Sequence, residues 1–205
     1  MKGDYMMFDL KYHKKYFAGS RVELCTKVQQ SVGEKRYRHI LGVEKAAIEL
    51  AGKNAVDVEK ASIAALVHDY AKERSAEEFK KVIDRKHLDP DLLKWNNFIW
   101  HGVVGAEIIE DELKISDPEI LNAVRRHTVG SVKMTQLDKV IYVADFVEEG
   151  RVFPDVDFAR TIAFKNLDQA VAFETKHTLQ YLLSANKTIY PTAIETYNRW
   201  VVAVN

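Results

Sequence analysis

Six side chains in this sequence could together hold a metal ion: His39, the adjacent pair His68 and Asp69, His101, His127 and Asp145. Imidazole nitrogens and carboxylate oxygens suit a divalent transition metal, and a mixed set of this kind with open positions for water is the environment of a hydrolytic ion. His68 and Asp69 stand at the end of the apolar run Ala61 to Val67. Neighbours on a helix point about 100° apart, so the pair can converge on one point only off the helix edge. Alone, the dipeptide is better explained as a capped helix end with a hydrogen-bonded His; the other four residues give it weight. Asp145 is the second signal, because it stands among Leu137, Val140, Ile141, Val143, Ala144 and Phe146. A carboxylate there is costly unless a cation meets it, either an Arg or Lys or a metal. Cys25 is the single cysteine, which removes thiolate metal sites and internal disulfides and makes it a small buried residue rather than a nucleophile.

The elements that must position these residues read with helical period throughout. Gly19-Ser20 breaks the chain and caps Arg21 to Val32. A long amphipathic helix from Glu34 to Ala51 carries His39 near its start, beside Arg36 and Arg38. Asp57 caps Val58 to about Lys72, and Ser75-Ala76-Glu77-Glu78 spells a capping box. Pro90 restarts the chain, Trp100-His101-Gly102 opens a helix to Leu113, and Asp117-Pro118 opens another that ends at His127-Thr128. Thr135 to Glu149, Asp157 to Ala163, Asn166 to Ala185 and a last helix reaching Val204 complete the series. With no alternating pattern to compete, the fold class is all-α. The expected organisation is an N-terminal extension over 1–20 and a single domain over 21–205.

Composition limits the function. Thirty Lys and Arg balance thirty Asp and Glu, so no overall field favours nucleic acid, and an anionic ligand must be met by local positive charge. No apolar run approaches the length needed to span a bilayer, and the first residues lack the layout of a signal peptide, so the expectation is a cytoplasmic protein without a membrane role. His13, His87 and His177 stand in polar or charged surroundings with no partner motif and are assigned no functional role. Trp95, Trp100 and Trp200, if exposed, would suggest a partner surface such as a homodimer, with core packing as the alternative.

The chemistry-bearing residues fall in six ordered blocks: Arg36-Tyr37-Arg38-His39-Ile40-Leu41-Gly42-Val43, Ala65-Leu66-Val67-His68-Asp69-Tyr70-Ala71-Lys72, Trp100-His101-Gly102-Val103-Val104-Gly105-Ala106, Arg126-His127-Thr128, Lys139-Val140-Ile141-Tyr142-Val143-Ala144-Asp145 and Ile189-Tyr190-Pro191-Thr192. From about Arg21 to Asn198 they resemble the HD superfamily of metal-dependent phosphohydrolases and, within it, the YqeK-type symmetrical bis(5'-nucleosyl)-tetraphosphatases. The resemblance implies an HD-domain helical bundle that hydrolyses diadenosine tetraphosphate to two ADP, with one or two divalent ions, iron first and manganese or cobalt as substitutes. It makes His39, His68, Asp69 and Asp145 metal ligands and gives Asp69, His101 and His127 catalytic roles. Arg36, Lys72, His101, His127, Thr128, Arg151 and the segment Thr188, Ile189, Tyr190, Pro191, Thr192, Ala193 would line the nucleotide site. The chain departs from the family pattern at Val129-Gly130-Ser131 and at Glu148-Glu149-Gly150-Arg151, which bears on phosphate and loop contacts rather than on the ligands. Two rivals stand beside this reading: a related phosphohydrolase acting on a cyclic nucleotide, a guanosine tetraphosphate alarmone or a nucleoside triphosphate, and a metal-stabilised nucleotide sensor without turnover.

Overall fold

The computed structural model describes residues 10–202, and every regular element in that span is helical. The centre is α3 (Val58–Val67), in which Ala61 to Val67 are all buried. A helix apolar on all sides must be surrounded, and α3 packs against α1 (Arg21–Ser31), α2 (Glu34–Lys53), α7 (Pro118–Arg126) and α8 (Gln136–Val147). In α2 the fully buried Ile40, Val43, Ala47 and Leu50 recur every three or four residues, a stripe that fixes which side His39 shares with the core. In α8 a Thr135–Asp138 capping box sets the start, and Asp138, itself buried, also accepts from Arg126 Nη1 at 2.5 Å. That contact ties α7 to α8.

The remaining helices cover this centre: α4 (Ala76–Arg85), α5 (Asn97–Val103), α6 (Gly105–Leu113), α9 (Val156–Ala163), α10 (Leu167–Ser184) and α11 (Pro191–Tyr197), with a 3₁₀ turn at Pro90–Lys94 and a wider π-helical turn at Asn198–Val202. The sequence places most of these, with boundaries shifted. Regular helix ends at Val67 rather than near Lys72, and the chain continues in tight turns with Tyr70 N donating to Val67 O and Lys72 N to Asp69 O. His68 and Asp69 therefore project from a helix end. The helix expected to open at Trp100 begins earlier, where the Asn96 side chain accepts from Phe98 N, and it divides at Val104 into α5 and α6.

Two tryptophans are core residues rather than a surface: Trp100 donates to Leu92 O and Trp200 to Ser131 O, and both are buried. His13 has a partner after all, since its Nδ1 lies 2.6 Å from Glu59 Oε2 and its backbone N–H donates to Oε1. His177 packs among phenylalanines. No helix among the described residues is long and apolar enough to cross a membrane.

Candidate metal centre

The structure brings the six predicted residues into one cluster. Ligand atoms of His39, His68 and Asp69 lie within 4.8 Å of one another, as do those of His68, His127 and Asp145, and those of Asp69, His101 and His127. Successive imidazoles meet edge to face, with centroids 5.4 Å apart for His39 and His68, 5.0 Å for His68 and His127, and 5.0 Å for His127 and His101. Five helices supply them: His39 from within α2, His68 and Asp69 from the end of α3, His101 from within α5, His127 from the end of α7 and Asp145 from within α8.

Each imidazole is oriented through Nδ1. His68 Nδ1 lies 2.6 Å from Ala65 O, His101 Nδ1 2.6 Å from Asn97 O and His127 Nδ1 2.7 Å from Val124 O. A carbonyl only accepts, so each of these Nδ1 atoms carries the proton and each Nε2 lone pair faces the cluster. His39 is braced by a carboxylate, with Nδ1 3.1 Å from Glu148 Oε1. This is how metal-bound histidines are commonly held from behind.

The inward atoms test whether an ion fits. His68 Nε2 and Asp69 Oδ1 are buried with no hydrogen-bond partner, and His39 Nε2, 3.0 Å from Asp145 Oδ1, lacks the alignment of a hydrogen bond. Buried acceptors pointing at one another without donors repel, and a cation among them removes that cost. Asp69 sits between the two halves of the row. Its Oδ2 faces His68 Nε2 at 3.5 Å and His39 Nε2 at 3.8 Å, while its Oδ1 faces His101 Nε2 at 3.5 Å and His127 Nε2 at 3.8 Å. The donor set, imidazole and carboxylate without thiolate, fits a divalent transition metal.

Protonation agrees. Burial, then the neighbouring His127 and Lys72, push His101 down to about 3, and burial with His68 pushes His127 down to about 4, so both imidazoles are neutral at physiological pH. Burial alone would raise Asp69, but His68, His101 and Lys72 outweigh it and hold the carboxyl well below its ordinary range. Asp145 behaves alike through His39 and Arg151.

Three cations surround the cluster. Arg36 Nη1 donates to Asp69 Oδ2 at 2.7 Å, Arg151 pairs with Asp145 through Nη2, and Lys72 Nζ lies 3.0 Å from His101 Nε2. The Thr128 hydroxyl is 3.1 Å from His101 Nε2 and 3.0 Å from His127 Nε2. Asp145 thus has both partners that its sequence context allowed, an Arg and the ligand cluster. The segment Thr188 to Ala193 is set apart from these polar contacts. It leads into α11, where Thr196 donates to Val129 O, one residue past Thr128, and Tyr190 packs edge-on against Trp95 at 4.9 Å. Gly130, at φ +68°, has no room for a side chain beside Thr196, which keeps α11 close to the Thr128 turn.

Glu148, Gly42 and Asn97 carry weight that sequence reasoning left unassigned. Glu148 closes α8, where a carboxylate meets the negative end of the helix dipole, and that unfavourable position is the one signal available. A Cβ at Gly42 would come within 2.5 Å of Glu148 Oε2. Gly42→Ala should therefore displace Glu148 from His39 and weaken metal binding about 10–100-fold, the usual loss when the partner behind a ligand is disturbed. Metal titration of the variant checks this, and an affinity within about threefold of the parent would reject the brace. Asn97 donates from Nδ2 to Lys72 O at 2.8 Å while its own carbonyl holds His101, so it positions both.

Near Asp145, Glu174 of α10 is buried with Oε2 unpartnered. Burial, then the Asp145 charge, raise its carboxyl well above the ordinary range. A carboxyl raised on folding gives stability that is complete below the unfolded value, about 4.3, and lost as pH rises toward the folded one. Glu174→Gln should thus raise the Tm of the metal-free protein at pH 8 and leave it nearly unchanged at pH 4.5. Relief of about 1–3 kcal/mol corresponds to roughly 2–4 °C for each kcal/mol in a chain of this size. Equal shifts at both pH values would reject the assignment.

Comparison with known proteins agrees with the geometry. The HD domain family model matches residues 36–149. The chain is 44% identical over 184 residues to a symmetrical bis(5'-nucleosyl)-tetraphosphatase of Bacillus subtilis, covering 90% of this chain and 98% of that protein. A protein of the same name from Halalkalibacterium halodurans is 38% identical over 172 residues, covering 84% of this chain and 92% of that protein. The crystal structure of an HD superfamily hydrolase from Clostridium acetobutylicum, described as involved in NAD metabolism, superposes with a TM-score of 0.84 at 32% identity, covering 91% of this chain and 99% of that one.

Proposed function

Because the chain belongs to the HD-domain family, in its branch of symmetrical bis(5'-nucleosyl)-tetraphosphatases, we propose that it hydrolyses diadenosine tetraphosphate at the centre of the phosphate bridge to give two ADP. The observation that carries this reading is the row of four Nε2 atoms divided by Asp69, with Arg36, Lys72 and Arg151 around it. His39, His68, Asp69 and Asp145 would hold one ion, and Asp69, His101 and His127, whose ligand atoms lie within 4.8 Å of one another, would hold a second. Iron is the resident metal in this reading, with manganese or cobalt able to replace it, and the protein works in the cytoplasm. Such ions supply Lewis-acid stabilisation of phosphate oxygens and bring the pKa of water toward neutrality.

The residues of the chain do the rest. A tetraphosphate carries several negative charges, and Arg36 and Arg151 offer planar forks to its oxygens while Lys72 offers a point charge. Burial lowers the Lys72 pKa, with Arg36 acting in the same direction and Asp69 opposing. His101 and His127, neutral and with Nδ1–H committed to carbonyls, have lone pairs rather than protons to present. They act as ligands or acceptors, and the Thr128 hydroxyl can donate into the same space. ADP departs as an anion that needs charge stabilisation more than a proton, which the three cations provide.

The test is turnover of diadenosine tetraphosphate by purified protein supplemented with iron, manganese or cobalt, with the nucleotide products separated by chromatography. ADP as sole product is the expected result. AMP with ATP would overturn the symmetrical cut, and no turnover with any of the three metals would overturn the assignment.

A further inference from the structure

The imidazole row leads at each end to aromatic side chains. At the His101 end, Asn97 holds His101 and Lys72, and Trp95, two residues earlier, packs against Tyr190. At the His39 end, Asp145 is followed by Phe146 and Arg151 is followed two residues later by Phe153. Phe146 and Phe153 lie 4.6 Å apart, His177 packs on them at 5.4 and 5.0 Å, and Phe173 and Phe158 extend the group, 5.5 Å from one another. Apart from Phe158, these rings are half-buried; Phe158 is 56% exposed and Val152 in the connecting loop is 93% exposed. Phe146, Phe153 and Phe173 rest on the core with part of each ring accessible, and Phe158 opens the group to solvent.

A dinucleoside tetraphosphate has a base at each end of its charged bridge, so a centre that cuts the middle of the bridge must accommodate both. We infer that the Phe146, Phe153, Phe158, Phe173 and His177 cluster is a platform for one purine base of the substrate, entered past Arg151. The inference rests on the dinucleotide substrate proposed above. Ring faces bind bases by stacking, and Arg151, on the Asp145 carboxylate beside the platform, meets the phosphate that leads to that base. Phe158 lies on α9 and Phe153 in the loop that precedes it.

The experiment compares two ligands on the manganese-loaded protein by calorimetry: a methylene-bridged, non-hydrolysable diadenosine tetraphosphate and adenosine 5'-tetraphosphate, which has one base. The parent protein should favour the two-base ligand by about tenfold, the size of effect one base stack gives. Phe153→Leu and Phe158→Ala should remove most of that preference, whereas Phe153→Tyr, which keeps the ring, should retain it. The same preference in the leucine and alanine variants, or none in the parent, would overturn the platform. A parent that shows the preference but does not turn over diadenosine tetraphosphate would overturn the activity and leave the platform standing; turnover without the preference would do the reverse.

Discussion

Asp69→Ala is expected to lower turnover of diadenosine tetraphosphate by about 10³-fold or more, since disturbing even the partner behind a metal ligand costs roughly 10–100-fold. Asp69 turns one carboxylate oxygen to each half of the imidazole row, Oδ2 toward His39 and His68 and Oδ1 toward His101 and His127. Its removal leaves Asp145 as the one carboxylate of the six-residue cluster, takes the carboxylate from beside His101, and takes from Arg36 the oxygen that aims it across the cluster. Asp69→Asn separates charge from shape. It retains the size of the group and an oxygen for Arg36, but the neutral amide is a poor ligand for a divalent cation, so its turnover should fall nearly as far. Elemental analysis should find less than one-third of the parent's bound metal in either variant. Activity within tenfold of the parent in Asp69→Asn would remove Asp69 from the centre and with it the two-sided arrangement.

The centre was legible in the sequence because its ligands break local rules. A His-Asp pair at the end of a fully apolar helix and a carboxylate inside another are expensive unless something meets them, and that cost marks them before any fold is known. What supports the ligands was less visible. Glu148 braces His39 from 109 positions away, and Asn97 acts through its backbone carbonyl, which any residue type would supply. Helix existence followed from periodicity, whereas boundaries were decided by caps and tertiary contacts. Asn96 starts α5 earlier than the Trp100 block suggested, and the end of α3 tightens so that His68 and Asp69 can leave it. The aromatic neighbours of His177 went unread because its flanking polar residues hid an i,i+4 relation to Phe173, which on a helix places the two rings on one face. Trp100 and Trp200 were ambiguous for a related reason, since an indole satisfies its N–H in the core as readily as at a surface once a carbonyl is near.

Glu44→Ala should be among the most destabilising single substitutions in the chain, at about 3–5 kcal/mol, through a contact that touches no ligand. Glu44 is 1% exposed and receives Arg21 Nε at 2.7 Å and Nη2 at 2.5 Å, a bidentate pair, while Ser62 donates to Oε1 at 2.6 Å and Tyr12 reaches Ser62 at 2.8 Å. This network joins the segment before α1 to α1, α2 and α3, and the last two carry His39 and His68. Truncation takes the bidentate carboxylate from a buried guanidinium, which is why the cost exceeds that of an exposed pair such as Lys94 and Asp91. Roughly 2–4 °C for each kcal/mol gives a fall in Tm of about 6–20 °C. Glu44→Gln keeps the shape and one acceptor and should lose about half as much. Because the network braces the helices rather than the ions, turnover measured well below the lowered Tm should stay within about threefold of the parent. A Tm change under about 2 °C in Glu44→Ala would refute the network's role, and a large loss of turnover in folded Glu44→Gln would show that the α2–α3 brace also sets the spacing of His39 and Asp69.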